Sequence, residues 1–146
     1  RRLCARARRG EETMTRTLIN PPALHPAPGF SHAAVDEDAG IAYVSGQLGL
    51  RQDFSLAASD LGGQTRAAME NIKVVLDELG ADWDDVMRRT IYTLQPTSFV
   101  EITAAIEAVQ GSDRHPAQTL IGVTGLAIEG TLIEIEVTVA LPSRRG

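Results

Sequence analysis

The chain has 146 residues, 43% of them hydrophobic, a net charge of -5 and one cysteine, enough for a single domain with its own core but for neither a disulfide framework nor a cysteine-built metal site. Five arginines against Glu11 and Glu12 in residues 1–13 leave 9 basic and 17 acidic residues from Met14 onward, and an acidic domain with few aromatics lacks the basic, stacking surface that nucleic acids require. No apolar run reaches the roughly 18 residues of a membrane helix, so the expectation is a cytoplasmic protein with one domain, residues 14–146, behind a basic disordered extension, residues 1–13.

"NPPALHPAPG", residues 20–29, packs four prolines into ten residues and is expected to run as an extended connection. "SHAAVDEDAGIAYVSGQ" then reads as two short strands around an Asp-Ala-Gly turn, a hairpin. From Asp60 to Leu79, the residues Leu61, Thr65, Ala68, Met69, Ile72, Leu76 and Leu79 recur at spacings of three and four, which predicts an amphipathic helix. Ser59 or Asp60 can cap its start and Gly80 its end, while Gly62 and Gly63 should weaken the first turn. "DDVMRRTIYTL" predicts a strand with Met87, Arg89, Ile91 and Thr93 on one side. Ser98 and Glu101 have capping-box spacing ahead of a second helix, where Phe99, Ile102, Ile106 and Val109 mark a buried stripe up to Gly111.

Two more strands close the chain. "AQTLIGV" is followed by "TLIEIEVTVAL", in which Ile133, Ile135, Val137, Val139 and Leu141 alternate with Glu134, Glu136 and Thr138. The element order predicts an α+β domain: a single mixed six-stranded sheet with two helices on one face. Tyr92, Leu94 and Leu120 are expected on the other face, which oligomerisation would cover.

"YVSGQLGL", "QTRAAMENIKVVLDELGADWDDVMRRTIYTL", "SFVEITAAIEAV", "HPAQTLIGV" and "TLIEIEVTVAL" stand in the order of the landmarks of the RidA/YjgF family, which this chain resembles from about Phe30 to Leu141. The resemblance implies a chorismate-mutase-like homotrimer with small-molecule clefts between subunits. It also implies hydrolysis of reactive enamines and imines to a keto acid and ammonia, with no cofactor. By position in the family motifs, the catalytic glutamate is Glu134, and Phe30, Gly46, Thr103 and Gln118 line the cleft. Phe30 stands where the family has a tyrosine, Thr103 where it has an asparagine, and Gln118 where it has the arginine that grips the substrate carboxylate.

A guanidinium offers a carboxylate a charged fork and an amide does not. Losing such a pair in a sheltered cleft costs about 2–5 kcal/mol, so the usual 2-imino acids are not the expected substrates, and arginine at 118 is expected to restore them. The residues also have plainer readings. Glu134 could be an exposed carboxylate or a partner of Arg88 or Arg89 across the sheet, Gly46 a strand glycine, and Gln118 a group that satisfies backbone at a subunit boundary. His25, His32 and His115 have no metal-ligand spacing, so no metal is expected; His115 is near enough to Gln118 in sequence to line the same cleft. The two functions that remain are a divergent deaminase and a non-catalytic protein that binds or senses a small metabolite.

Overall fold

Residues 15–142 are described in the computed structural model; the extension expected over residues 1–13 lies outside them. The elements are β1 (Arg16–Ile19), β2 (Ala33–Asp36), β3 (Ile41–Leu48), α1 (Leu61–Leu79), β4 (Val86–Thr93), α2 (Phe99–Gln110), β5 (Ala117–Gly122) and β6 (Ile133–Ala140). The strongly alternating β6 is central because every second residue is apolar. Ile133, Ile135 and Val139 are wholly buried, each contributing on the order of 1.5–3 kcal/mol. One six-stranded sheet results, in the order β1-β2-β3-β6-β4-β5, with only the β4–β5 pair parallel. The α+β architecture is the expected one: α1 and α2 pack on each other, and α1 covers β3 and β6. One sheet face is thus under helices and the other is open. Among the described residues no helix is long and apolar enough to cross a membrane.

The helix ends show why these segments stop where they do. Asp60 caps α1 by accepting from the Gly63 N–H at 3.0 Å, and Gly80 ends it in the left-handed conformation at φ 67°. The two glycines of the first turn have a positive use. A Cβ at Gly63 would stand 2.5 Å from the Ala58 Cβ, too close for any side chain, and the Gly62 N–H is taken by Glu101 of α2 at 3.2 Å. Glu101 therefore caps the other helix. The box expected with Ser98 does not form, and Ser98 makes no side-chain capping bond.

Three expectations about faces need correction. Met87 is 58% exposed, and Val86 is buried in its place, because a register shift between Val86 and Arg88 inserts one residue into β4. Phe99 is 59% exposed; the buried part of α2 is Ile102, Ala105 and Ile106. Leu120 pairs with Ile91 and packs against the core, so it lies on the helix side, and Ile121 takes the open face beside Tyr92.

Candidate functional site

Two groups of candidate residues form, one on each side of the sheet. On the open face, β6 presents Glu134 and Glu136 between β3 and β4. A bulge in β3 puts Ser45 and Gly46 opposite this strand, since Val44 pairs with Val137 and Gln47 with Ile135. Gly46 is where the Glu134 carboxylate fits: a Cβ built there would fall 2.1 Å from Glu134 Oε1 and 2.8 Å from its Cδ. Hydrogen at that position thus makes room for the acid. Burial raises the pKa of Glu134, and the nearby negative Glu136 raises it further. Among the described residues no hydrogen bond engages the Glu134 carboxylate, whereas Glu136 accepts from the Tyr92 hydroxyl at 2.7 Å.

Phe30 lies beside this acidic strand. Its ring, 45% exposed, meets the buried His32 ring edge-on at 5.5 Å and lines a groove of about 450 Å³ with Ser31, Tyr43, Ser45 and Glu136. The hydroxyl of Ser45 is engaged, donating to the Ser31 carbonyl at 2.5 Å. His32 is itself fixed: Nε2 faces the His25 carbonyl at 2.9 Å, and Gln47 Nε2 donates to Nδ1 at 3.1 Å. Burial lowers its pKa, which keeps the imidazole in the neutral form that this pair of bonds needs. A larger cavity of about 560 Å³ along the proline-rich segment is lined by His25, His32, Gln52 and Asp53, and contains none of the five candidates.

Gln118 lies on the other side. It pairs in register with Arg89 of β4, and Arg89 Nε donates to Gln118 Oε1 at 2.6 Å. Arg89 is only 3% exposed, and burial draws its pKa down to about 10. Its other bonds run to Gln110 Oε1 at 3.4 Å and His115 Nδ1 at 3.0 Å. A guanidinium can only donate, so His115 carries its ring proton on Nε2, where it faces Glu107 Oε1 at 2.8 Å. Half-buried Thr103 shares a face of α2 with Glu107 and Gln110, four and seven residues on.

Within one chain, then, Phe30, Gly46 and Glu134 belong to the open face, Gln118 to the helix side of β5, and Thr103 to α2, on the face it shares with Glu107 and Gln110. Arg89 cannot pair with Glu134, which faces the opposite way. Sequence reading missed the Arg89, Gln110 and Glu107 cluster, although one signal was present: an arginine in phase with Ile91 and Thr93 on an inward-facing row must be buried and must find acceptors. His115 is linked to Gln118 through Arg89.

The chain matches the family described as Endoribonuclease L-PSP over residues 21–141. A RutC family protein of Pyrococcus abyssi is 30% identical over 95 residues, which cover 64% of this chain and 73% of that protein. The 2-iminobutanoate/2-iminopropanoate deaminase of Salmonella typhimurium is 27% identical over 94 residues, 63% of this chain and 73% of the relative. Among solved structures, YyfA of Yersinia pestis, a Rid-family protein of unknown function, superposes with a TM-score of 0.78 at 28% identity, covering 86% of this chain and 98% of that one. With this fold and a match over nearly its whole length, the chain belongs to the Endoribonuclease L-PSP family, the RidA/YjgF group that its sequence landmarks resemble.

Proposed function

We propose that this protein hydrolyses an imine or enamine without a carboxylate handle, in a cleft completed between two copies of the chain in a cytoplasmic homotrimer. The observation that carries the reading is Glu134, a half-buried carboxylate with a raised pKa, unbonded and seated against the bare backbone of Gly46. Such a group is suited to take a proton from water. In the reaction, water adds to the C=N carbon while Glu134 accepts its proton and passes it to the imine nitrogen; the carbinolamine then loses ammonia as the C–N bond breaks and the hydroxyl proton moves to the departing nitrogen, leaving the carbonyl compound. An enamine first gains a proton at carbon to become the imine. No step needs a metal or cofactor.

Two features support a cleft between copies. The five candidate residues divide between opposite faces of one sheet, so they can meet only where the open face of one copy approaches the β5 edge of another. The open face also exposes Leu18 and Tyr43 in one row, with Ile121 further along, apolar surface that a neighbour would cover. The family description names an RNA-cleaving activity, but the acidic charge of the domain and the carboxylates on its open face disfavour a polyanion there.

The neutral handle follows from Gln118. The local cluster holds one guanidinium, Arg89, and one carboxylate, Glu107, joined through His115, so the charge offered to a ligand nearly cancels. A direct test generates imines in situ with an amine oxidase and follows their loss with the wild type and Glu134→Gln. Accelerated loss that disappears in the variant is the expected result. If neither protein accelerates loss yet a carbonyl ligand still binds, the protein is a metabolite-binding member and the deaminase reading is wrong.

A further inference from the structure

We propose that Arg89 and Gln118 act as one specificity unit, in which Arg89 fixes the Gln118 amide so that its NH₂ group is presented as hydrogen-bond donor to an uncharged acceptor such as a carbonyl or carboxamide oxygen. This deepens the proposed function and rests on Gln118 touching the ligand there.

An amide side chain normally offers both a donor and an acceptor, and can turn over to suit its ligand. Gln118 cannot. Its oxygen receives Arg89 Nε at 2.6 Å, and a guanidinium has no acceptor to offer in exchange, so a turned amide would set NH₂ against N–H beside a buried charge. The atom of the Gln118 amide not held by Arg89 is therefore its NH₂ nitrogen, fixed in direction by a buried residue. Arg89 is fixed in turn: Gln110 and His115 hold its two terminal nitrogens, and Gln110 Nε2 is tied to the Ser112 carbonyl at 2.8 Å. Being 3% exposed, the guanidinium acts through the glutamine as a positioning residue and does not meet the ligand itself.

The same geometry changes the consequence expected for arginine at position 118. Residues 89 and 118 are in register on one side of adjacent strands, so Gln118→Arg would remove the closest acceptor of a buried cation and set a second cation beside it. Both effects oppose folding. A carboxylate-binding fork at 118 thus requires the charge at 89 to be removed as well.

The test is a cycle of wild type, Gln118→Arg, Arg89→Met and the double variant, with pyruvate and its uncharged isostere pyruvamide as probes. Binding is measured by titration calorimetry, the Gln118 side-chain NH₂ signals by NMR, and stability by thermal melting. The wild type should prefer pyruvamide, with the NH₂ signals shifting on binding. Arg89→Met should lose that preference, leaving the fold intact because methionine fills the arginine stem. Gln118→Arg alone should melt lower with little gain for pyruvate, whereas the double variant should recover the melting point and bind pyruvate at least tenfold tighter than wild type. If Gln118→Arg alone gives the full gain without loss of stability, the unit is refuted and the neutral-handle reading survives. If neither probe moves the NH₂ signals of the wild type, Gln118 is not in the site, and both are refuted.

Discussion

Replacing Gly46 by alanine should separate activity from stability. The added Cβ would lie 2.1 Å from Glu134 Oε1, 2.8 Å from Cδ and 2.9 Å from Cγ, where an ordinary carbon–oxygen contact is roughly 3.2 Å or more, so the carboxylate must retreat by about 1 Å. The obstructing atoms are the far end of a flexible side chain on the open face, not backbone or core, and Gly46 has no positive φ that alanine would strain. The stability change should therefore stay within about 1 kcal/mol, a few degrees in Tm. A displacement of that size at a group positioning water costs on the order of a hundredfold in rate. Thermal melting and ammonia release from an in-situ imine check the two halves. Full turnover by Gly46→Ala would refute the placement of Glu134 in the reaction; a collapse of Tm would show that the glycine serves the sheet, not the acid.

The raised pKa of Glu134 makes two further predictions. As a base it must be ionised, so kcat/KM should climb with pH through a limb above the usual glutamate value of about 4.3. Because the folded state holds this proton more tightly than the unfolded chain does, ionisation costs stability, a cost absent below the unfolded pKa and complete above the folded one. Glu134→Gln should accordingly raise Tm at neutral pH, with the gain fading below about pH 4; an unchanged Tm throughout would contradict the burial argument. Glu101→Ala removes the acceptor of the Gly62 N–H at the start of α1 and should cost about 0.5–1 kcal/mol in chemical denaturation, whereas a cap confined to its own helix would leave α1 protection from hydrogen exchange unchanged. Equilibrium ultracentrifugation should give three times the 15.7 kDa chain mass, and a monomer would leave the divided site incomplete.

The parts of the fold legible in the sequence were those with an unbroken period. β6 alternates without a slip, and α1 keeps its spacing from Leu61 to Leu79, so both could be placed with their buried faces. Faces were misjudged where the period is interrupted or where a neighbour sets it. The bulge at Met87 has no compositional mark, and the face of Leu120 depends on its register against Ile91, which a short edge strand does not encode alone. Phe99 sits in the first turn of α2, ahead of the buried Ile102, Ala105 and Ile106. The site was legible only in pieces. The place of Glu134 followed from strand parity, but the void at Gly46 that seats it arises from a bulge, and the grip of Arg89 on Gln118 arises from pairing residues 29 positions apart.

The most direct test of the neutral-handle site is the turnover of a matched pair of imines that differ only in carrying a carboxylate or a carboxamide. With Gln118 as a fixed donor and Glu134 as the base, the carboxamide imine should be hydrolysed at least tenfold faster, and the preference should vanish in Arg89→Met. Faster hydrolysis of the carboxylate imine by the wild type would contradict it.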